Sequence, residues 1–150
     1  MARRLLASVA QLPWAGNWTA LVMMAAKERS LVLFQWQRET STLSYEVHAL
    51  HVMPGPAATQ PIACYDFDHL HCAMIPVALR DALRMAAVDN YVQLPVQVDE
   101  DHCAAILIAQ PQADFAVICE QLHALQAPLQ HLFNKAWQHD IPLLPHKLHV

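Results

Sequence analysis

Residues 64–72 read CYDFDHLHC, which packs two cysteines, two histidines and two aspartates into one short stretch. Residues of these types can do three kinds of chemistry. Zinc takes four nitrogen or sulfur ligands, and Cys64, His69, His71 and Cys72 could supply them. The spacing argues against that use. No C-x₂₋₄-C pair is present, and adjacent His71 and Cys72 rarely both point at one ion. No metal and no other cofactor is therefore expected. A reducible Cys64–Cys72 pair would instead serve thiol chemistry. The spacing favours the third reading, a polar loop over a pocket. There Asp66 and Asp68 would hold His69 and His71 as imidazolium, raise their pKa and make the loop a pH-responsive lid.

Elsewhere the residues are less pointed. His48 and His51 read as partly exposed side chains, and Cys103 and Cys119 as small core residues. Trp14, Trp18, Trp36 and Tyr45 gather in the front half, where they pack a core or line a pocket for a planar ligand. The candidate ligand-binding set is Trp36, Tyr45, Tyr65, Asp66, Asp68, His69 and His71. No H-E-x-x-H motif and no Ser/His/Asp arrangement is identifiable.

Composition removes several functions. With Gly at 2, no glycine-rich phosphate loop exists. A net charge of −4, with scattered basic residues, opposes direct binding to nucleic acid. No apolar run reaches the roughly 18–20 residues that span a bilayer, so no membrane segment is expected. The start, MARRLLASVAQLPWAG, reads as an amphipathic helix, and the cysteines as reduced thiols of a cytoplasmic protein. Charged residues make up only 15% of the chain against about 25% in a typical soluble domain, which suits a face covered by a partner.

The elements that must position these residues follow from periodicity. A helical stripe runs over 3–12. Apolar runs at 18–26 and 31–37, split by KERS, read as a hairpin. Alternation over 43–53 predicts a third strand, with a helix as the alternative. The run 54–61 is loop, IACYDF is a short strand, and Pro76 opens a helix to about Val88. YVQLPVQV (91–98) alternates cleanly, and Pro95 makes it an edge or bulged strand. An acidic turn leads to CAAILIA (103–109). Asp114 then caps a last helix. Its apolar residues Phe115, Ile118, Leu122, Leu125, Leu129, Leu132 and Ala136 keep a 3.5 repeat, and Pro128 is expected to kink it near Ala124. Such a seam fits a helix lying on a sheet, or one that also meets a second subunit.

The pieces LPVQV, DEDH, AAILIA and ADF, over about 90–139, resemble the C-terminal half of a GAF-type sensor domain. Where such domains usually place a glycine before the second strand, this chain has His102-Cys103. The resemblance implies an α+β, GAF-like fold. Its central antiparallel sheet would have five to six strands, with flanking helices and a long C-terminal helix. Residues 1–140 would form the single domain and 141–150 a linker-like tail. The implied function is a non-catalytic sensory or regulatory module that binds a small-molecule ligand of unknown identity or a protein partner. It would signal as a homodimer through the C-terminal helix, with an output domain as a further partner. The alternatives are a GAF-fold thiol reductase of the methionine sulfoxide type, using Cys64, Cys72 and Cys103, and an interaction domain without ligand.

Overall fold

The computed structural model describes residues 2–25, 27, 29–50, 62–65 and 76–139. Among them the order is α1 (Ala2–Ala10), β1 (Trp18–Ala25), β2 (Ser30–Gln37), β3 (Thr42–Ala49) and β4 (Ala63–Tyr65), then α2 (Val77–Met85), β5 (Tyr91–Asp99), β6 (His102–Ala109) and α3 (Phe115–His139). The strands form one antiparallel sheet in the order β3-β2-β1-β6-β5-β4. The α+β expectation holds, with six strands. The expected tail, 141–150, and the end of the third strand, 51–53, lie outside the described residues.

β1 and β6 are central, and their apolar runs follow from that place. Residues in register share a face, and successive residues alternate faces. Leu21, Met23, Phe34, Trp36, Leu94, Ile106 and Ile108 thus point to one side, where Leu5, Leu6 and Val9 of α1 and Ile118, Leu122, Leu129 and Phe133 of α3 cover them. Trp18, Ala20, Val22, Leu31, Leu33 and Leu107 point to the other, under Leu79, Ala82 and Leu83 of α2. A strand covered on both faces has no polar side to show, so β1 reads as a continuous apolar run.

One reading of the α3 seam holds, and the stripe itself changes. The heptad seam of α3 is used within the chain: Ile118, Leu122 and Leu129 are buried against the sheet. A sheet and a second helix both ask for an apolar stripe, so the spacing alone is no ground for a dimer through this helix. The stripe also differs from the expected one. Phe115 is half exposed, while Phe133, outside the 3.5 repeat, is fully buried. The helix continues through Pro128 to His139.

Pro95 behaves as its chemistry requires. It pairs with Ala105 of β6, beyond the end of β4, which reaches only as far as Ala63 opposite Gln93. The Gln110 N–H bond to the Asn90 carbonyl sets the parity of the β5–β6 ladder, and by that parity the missing N–H of Pro95 faces away from β6. A register shift follows between Val96 and Asp99.

The end of α2 is a Schellman motif. Val88 N–H donates to the Leu83 carbonyl and Ala87 N–H to that of Arg84, with Val88 and Leu83 packed together in the core. Ala87 occupies the left-handed position, φ 56°, where glycine is the usual residue.

Two outcomes follow. Leu122→Glu should abolish folding, seen as loss of the circular dichroism spectrum, rather than release a folded monomer. Ala87→Gly should raise stability by about 1 kcal/mol, read from the urea midpoint, because it removes the steric penalty of a left-handed alanine.

Candidate functional site

Of the expected site residues only Trp36, Tyr45 and Tyr65 are described, and these three do not share one face of the sheet. Asp66, Asp68, His69 and His71 lie outside the described residues, as does Cys72, so the lid falls there too. Trp36 is buried on the α1/α3 face, where the guanidinium of Arg3 lies 5.7 Å from its ring centre. Tyr45 is on the same face but on β3; its ring meets Phe34 at 5.0 Å and burial raises its pKa. Tyr65 is on the opposite face, 5.4 Å from the ring of Tyr91, whose pKa is pushed up by burial and then by Tyr65. Trp36 and Tyr45 therefore serve the packing of one face and Tyr65 that of the other.

The cysteines are divided as well. Cys64 pairs with Val92 and so faces α3, which carries Cys119. Cys103 pairs with Met24 on the α2 face. Cys64 is exposed at the surface, yet partial desolvation raises its thiol and the nearby Cys119 raises it further; burial also raises Cys103, against a hydrogen bond from the Met24 backbone. A raised thiol is mostly protonated at neutral pH and a poor nucleophile. Among the described residues, no three His, Cys, Asp or Glu side chains cluster as metal ligands.

His102, at the position where the resemblance expects a glycine, opens β6. Its Nδ1 donates to Asp99 Oδ1 across 2.6 Å. Burial works to raise the Asp99 pKa, but the hydrogen bonds from His102 and the Asp101 N–H, with the His102 charge, outweigh it and the pKa is lowered. A lowered carboxylate contributes stability above its unfolded pKa, and this is lost as pH falls through the folded value. The pair therefore holds the β5–β6 turn, a structural task, at neutral pH.

A different place has the shape of a site. The starts and ends of four elements meet on the α2 side around a half-open notch of about 180 Å³, lined by Asn17, Trp18, Gln37, Met85, Ala86, Ala87, Val88, Ala109 and Gln110. Gly16 makes this meeting close. Its N–H donates to the Ala109 carbonyl across 3.0 Å, and a Cβ on residue 16 would overlap that oxygen. The Schellman turn brings Ala86 to Val88 to the floor. The rim is amide: Asn17 Nδ2 donates to Gln37 Oε1, the Glu39 N–H to Asn17 Oδ1, and Gln110 Nε2 to the Ala87 carbonyl. Beneath it Trp18 Nε1 donates to Gln35 Oε1.

These bonds leave capacity over. A primary amide offers two donors and an acceptor with two lone pairs. The carbonyl of Gln110 and the NH₂ of Gln37 remain available beside apolar surface. Every lining side chain is uncharged. Met85, 90% exposed, adds a flexible thioether of the kind that adapts to varied partners. The volume is below the ~300–1,000 Å³ of sites for drug-sized ligands. It suits a small neutral group bearing an amide or hydroxyl.

Of the notch residues the sequence pointed only to Trp18, as one of the front-half aromatics. Compared with known proteins, the chain matches no family model, no curated protein and no solved structure. Among the described residues no helix is long and apolar enough to cross a membrane.

The thiol environments give a direct test. At pH 7, Cys64 and Cys103 should react with iodoacetamide more slowly than a free cysteine peptide, followed by peptide mass spectrometry. Faster alkylation of either would mean an activated thiol.

Proposed function

We propose that this chain is a non-catalytic sensory or regulatory module, GAF-like in kind, that binds a small uncharged ligand or an uncharged side chain of a protein partner. The notch at the end of α2 carries this reading: the amides of Asn17, Gln37 and Gln110 line it together with Trp18, Met85, Val88 and three alanines, and none of these side chains is charged. An amide rim selects by hydrogen bonding and offers nothing to neutralise a charged substrate. The thiol-reductase alternative draws no support from Cys64 and Cys103, whose thiols are raised and on opposite faces of the sheet.

A fragment titration tests the reading. Isobutyramide has an apolar end and a neutral amide; isobutyrate has the same shape and a charge. With isobutyramide, nitrogen–proton correlation spectra should shift at the Trp18 indole, at the side-chain amides of Gln37 and Gln110, and at Val88. Affinity should be in the millimolar range, about −4 kcal/mol. Isobutyrate should leave these signals in place, and Ala86→Trp, which fills the notch, should remove the response. Equal shifts with isobutyrate, or shifts scattered over the surface, would overturn the proposal.

A further inference from the structure

The two edges of the sheet are built differently. The edge beyond β5 is blunted. β4 spans 3 residues, Pro95 lacks a donor, and the register slips between Val96 and Asp99. Beyond β4, α3 closes what remains: Gln130 Oε1 accepts from the Gln97 N–H and its Nε2 donates to the Gln97 carbonyl, each across 2.9 Å. Short strands, proline, bulges and covering side chains are the devices that keep an edge from pairing with another chain.

Among the described residues β3 shows no short span, proline or bulge, and no strand beyond it. It runs 8 residues without proline or glycine and pairs with β2 along its whole length without a shift. No described element pairs with its outer side. Lysine and arginine, the usual edge guards, are missing from it. It is also exposed almost throughout, including Val47 at 43% on the face that α1 and α3 cover elsewhere.

The outward backbone groups can be assigned. Leu50 N–H donates to the Arg29 carbonyl, so residues 29 and 50 form a hydrogen-bonded pair. Such pairs alternate along an antiparallel ladder. Thr42, Ser44, Glu46 and His48 therefore bond to β2, and Leu43, Val47 and Ala49 turn their N–H and C=O outward.

We infer that this edge pairs with a second copy of the chain, β3 against β3 about a two-fold axis, to make one continuous sheet. Charge selects the register. Outward residues must meet outward residues, which leaves registers two residues apart. One sets Glu46 opposite Glu46 of the second copy, and like charges directly opposite repel. The next sets Val47 opposite Val47 and Glu46 opposite His48 of the second copy, twice by symmetry. Within one chain the two side chains already meet, with His48 Nε2 3.0 Å from Glu46 Oε2. In the pair each carboxylate lies between two imidazoles. Val47 of both copies is covered on the opposite face. The contact is independent of the notch, which lies on the α2 side at the far ends of β1 and β6.

Sedimentation equilibrium of the full chain tests this. The expected species has twice the 16.9 kDa chain mass. Val47→Pro removes an outward N–H that bonds to nothing within the sheet, so it should yield a folded monomer with an unchanged far-ultraviolet spectrum. Glu46→Lys should raise the dissociation constant roughly tenfold, since both Glu46–His48 contacts across the pair are lost. The double change Glu46→Lys with His48→Glu should restore it. A wild-type monomer at all concentrations, or a dimer that Val47→Pro leaves intact, would overturn the proposal. A double variant that stays weak would overturn the register, because in the Glu46-centred alternative lysine would face lysine.

Discussion

The pairing of β1 with β6 is the interaction on which the rest of the structure depends. It runs from Thr19 opposite Ile108 to Ala25 opposite His102 and joins a front meander, β1 to β3, to a back one, β4 to β6. Each half alone is a small sheet of mostly local contacts. Only their union makes a surface wide enough for α1 and α3 to cover together. The register matters as much as the pairing. A slip of one residue would turn Ile106 and Ile108 to the α2 face while Leu21 and Met23 stayed on the α3 face, and so split the core they share. The pairing also joins segments far apart in sequence, so its loop-closure entropy opposes it until the helices dock. The notch lies at its end, where Gly16 bonds the Ala109 carbonyl.

What could be read beforehand was whatever burial writes as a period. β5 and β6 alternated or ran apolar according to how many of their faces are covered, and α1 and α3 showed their stripes. The partner of a stripe was not legible. A sheet and a second helix both ask for apolar residues at three- and four-residue steps, so the seam of α3 fitted either. Phe133 joined the buried face and Phe115 left it because the surface α3 meets is a twisted sheet rather than a coiled-coil groove. β4, at 3 residues, is too short to carry any period.

The site was less legible than the fold, for a related reason. Trp36, Tyr45 and Tyr65 were grouped by residue type, but the face of a strand residue depends on register, and register places Tyr65 opposite the other two. The notch is the converse case. It is formed by the ends of β1, β2, α2 and β6, and its residues are alanines, amides, a valine, a tryptophan and a methionine with no motif among them. Chemistry that depends on where ends meet leaves little trace in local sequence.

The scarcity of glycine adds a last observation. Among the described residues four non-glycines, Arg29, Ser41, Ala87 and Gln110, hold left-handed φ values between 46° and 56°. Each bears a penalty on the order of 1 kcal/mol that glycine would avoid. Arg29 and Ser41 sit in hairpin turns, where such values are geometrically required. Ala87 and Gln110 sit together on the notch, and the Gln110 amide donates to the Ala87 carbonyl across 3.0 Å. Glycine at residue 110 would relieve the backbone but delete the amide that forms one wall of the rim and ties β6 to the end of α2. Strain that the surroundings hold in place tends to gather where a structure is used. Here the strained residue is also the one whose side chain ties β6 to the end of α2 at the notch.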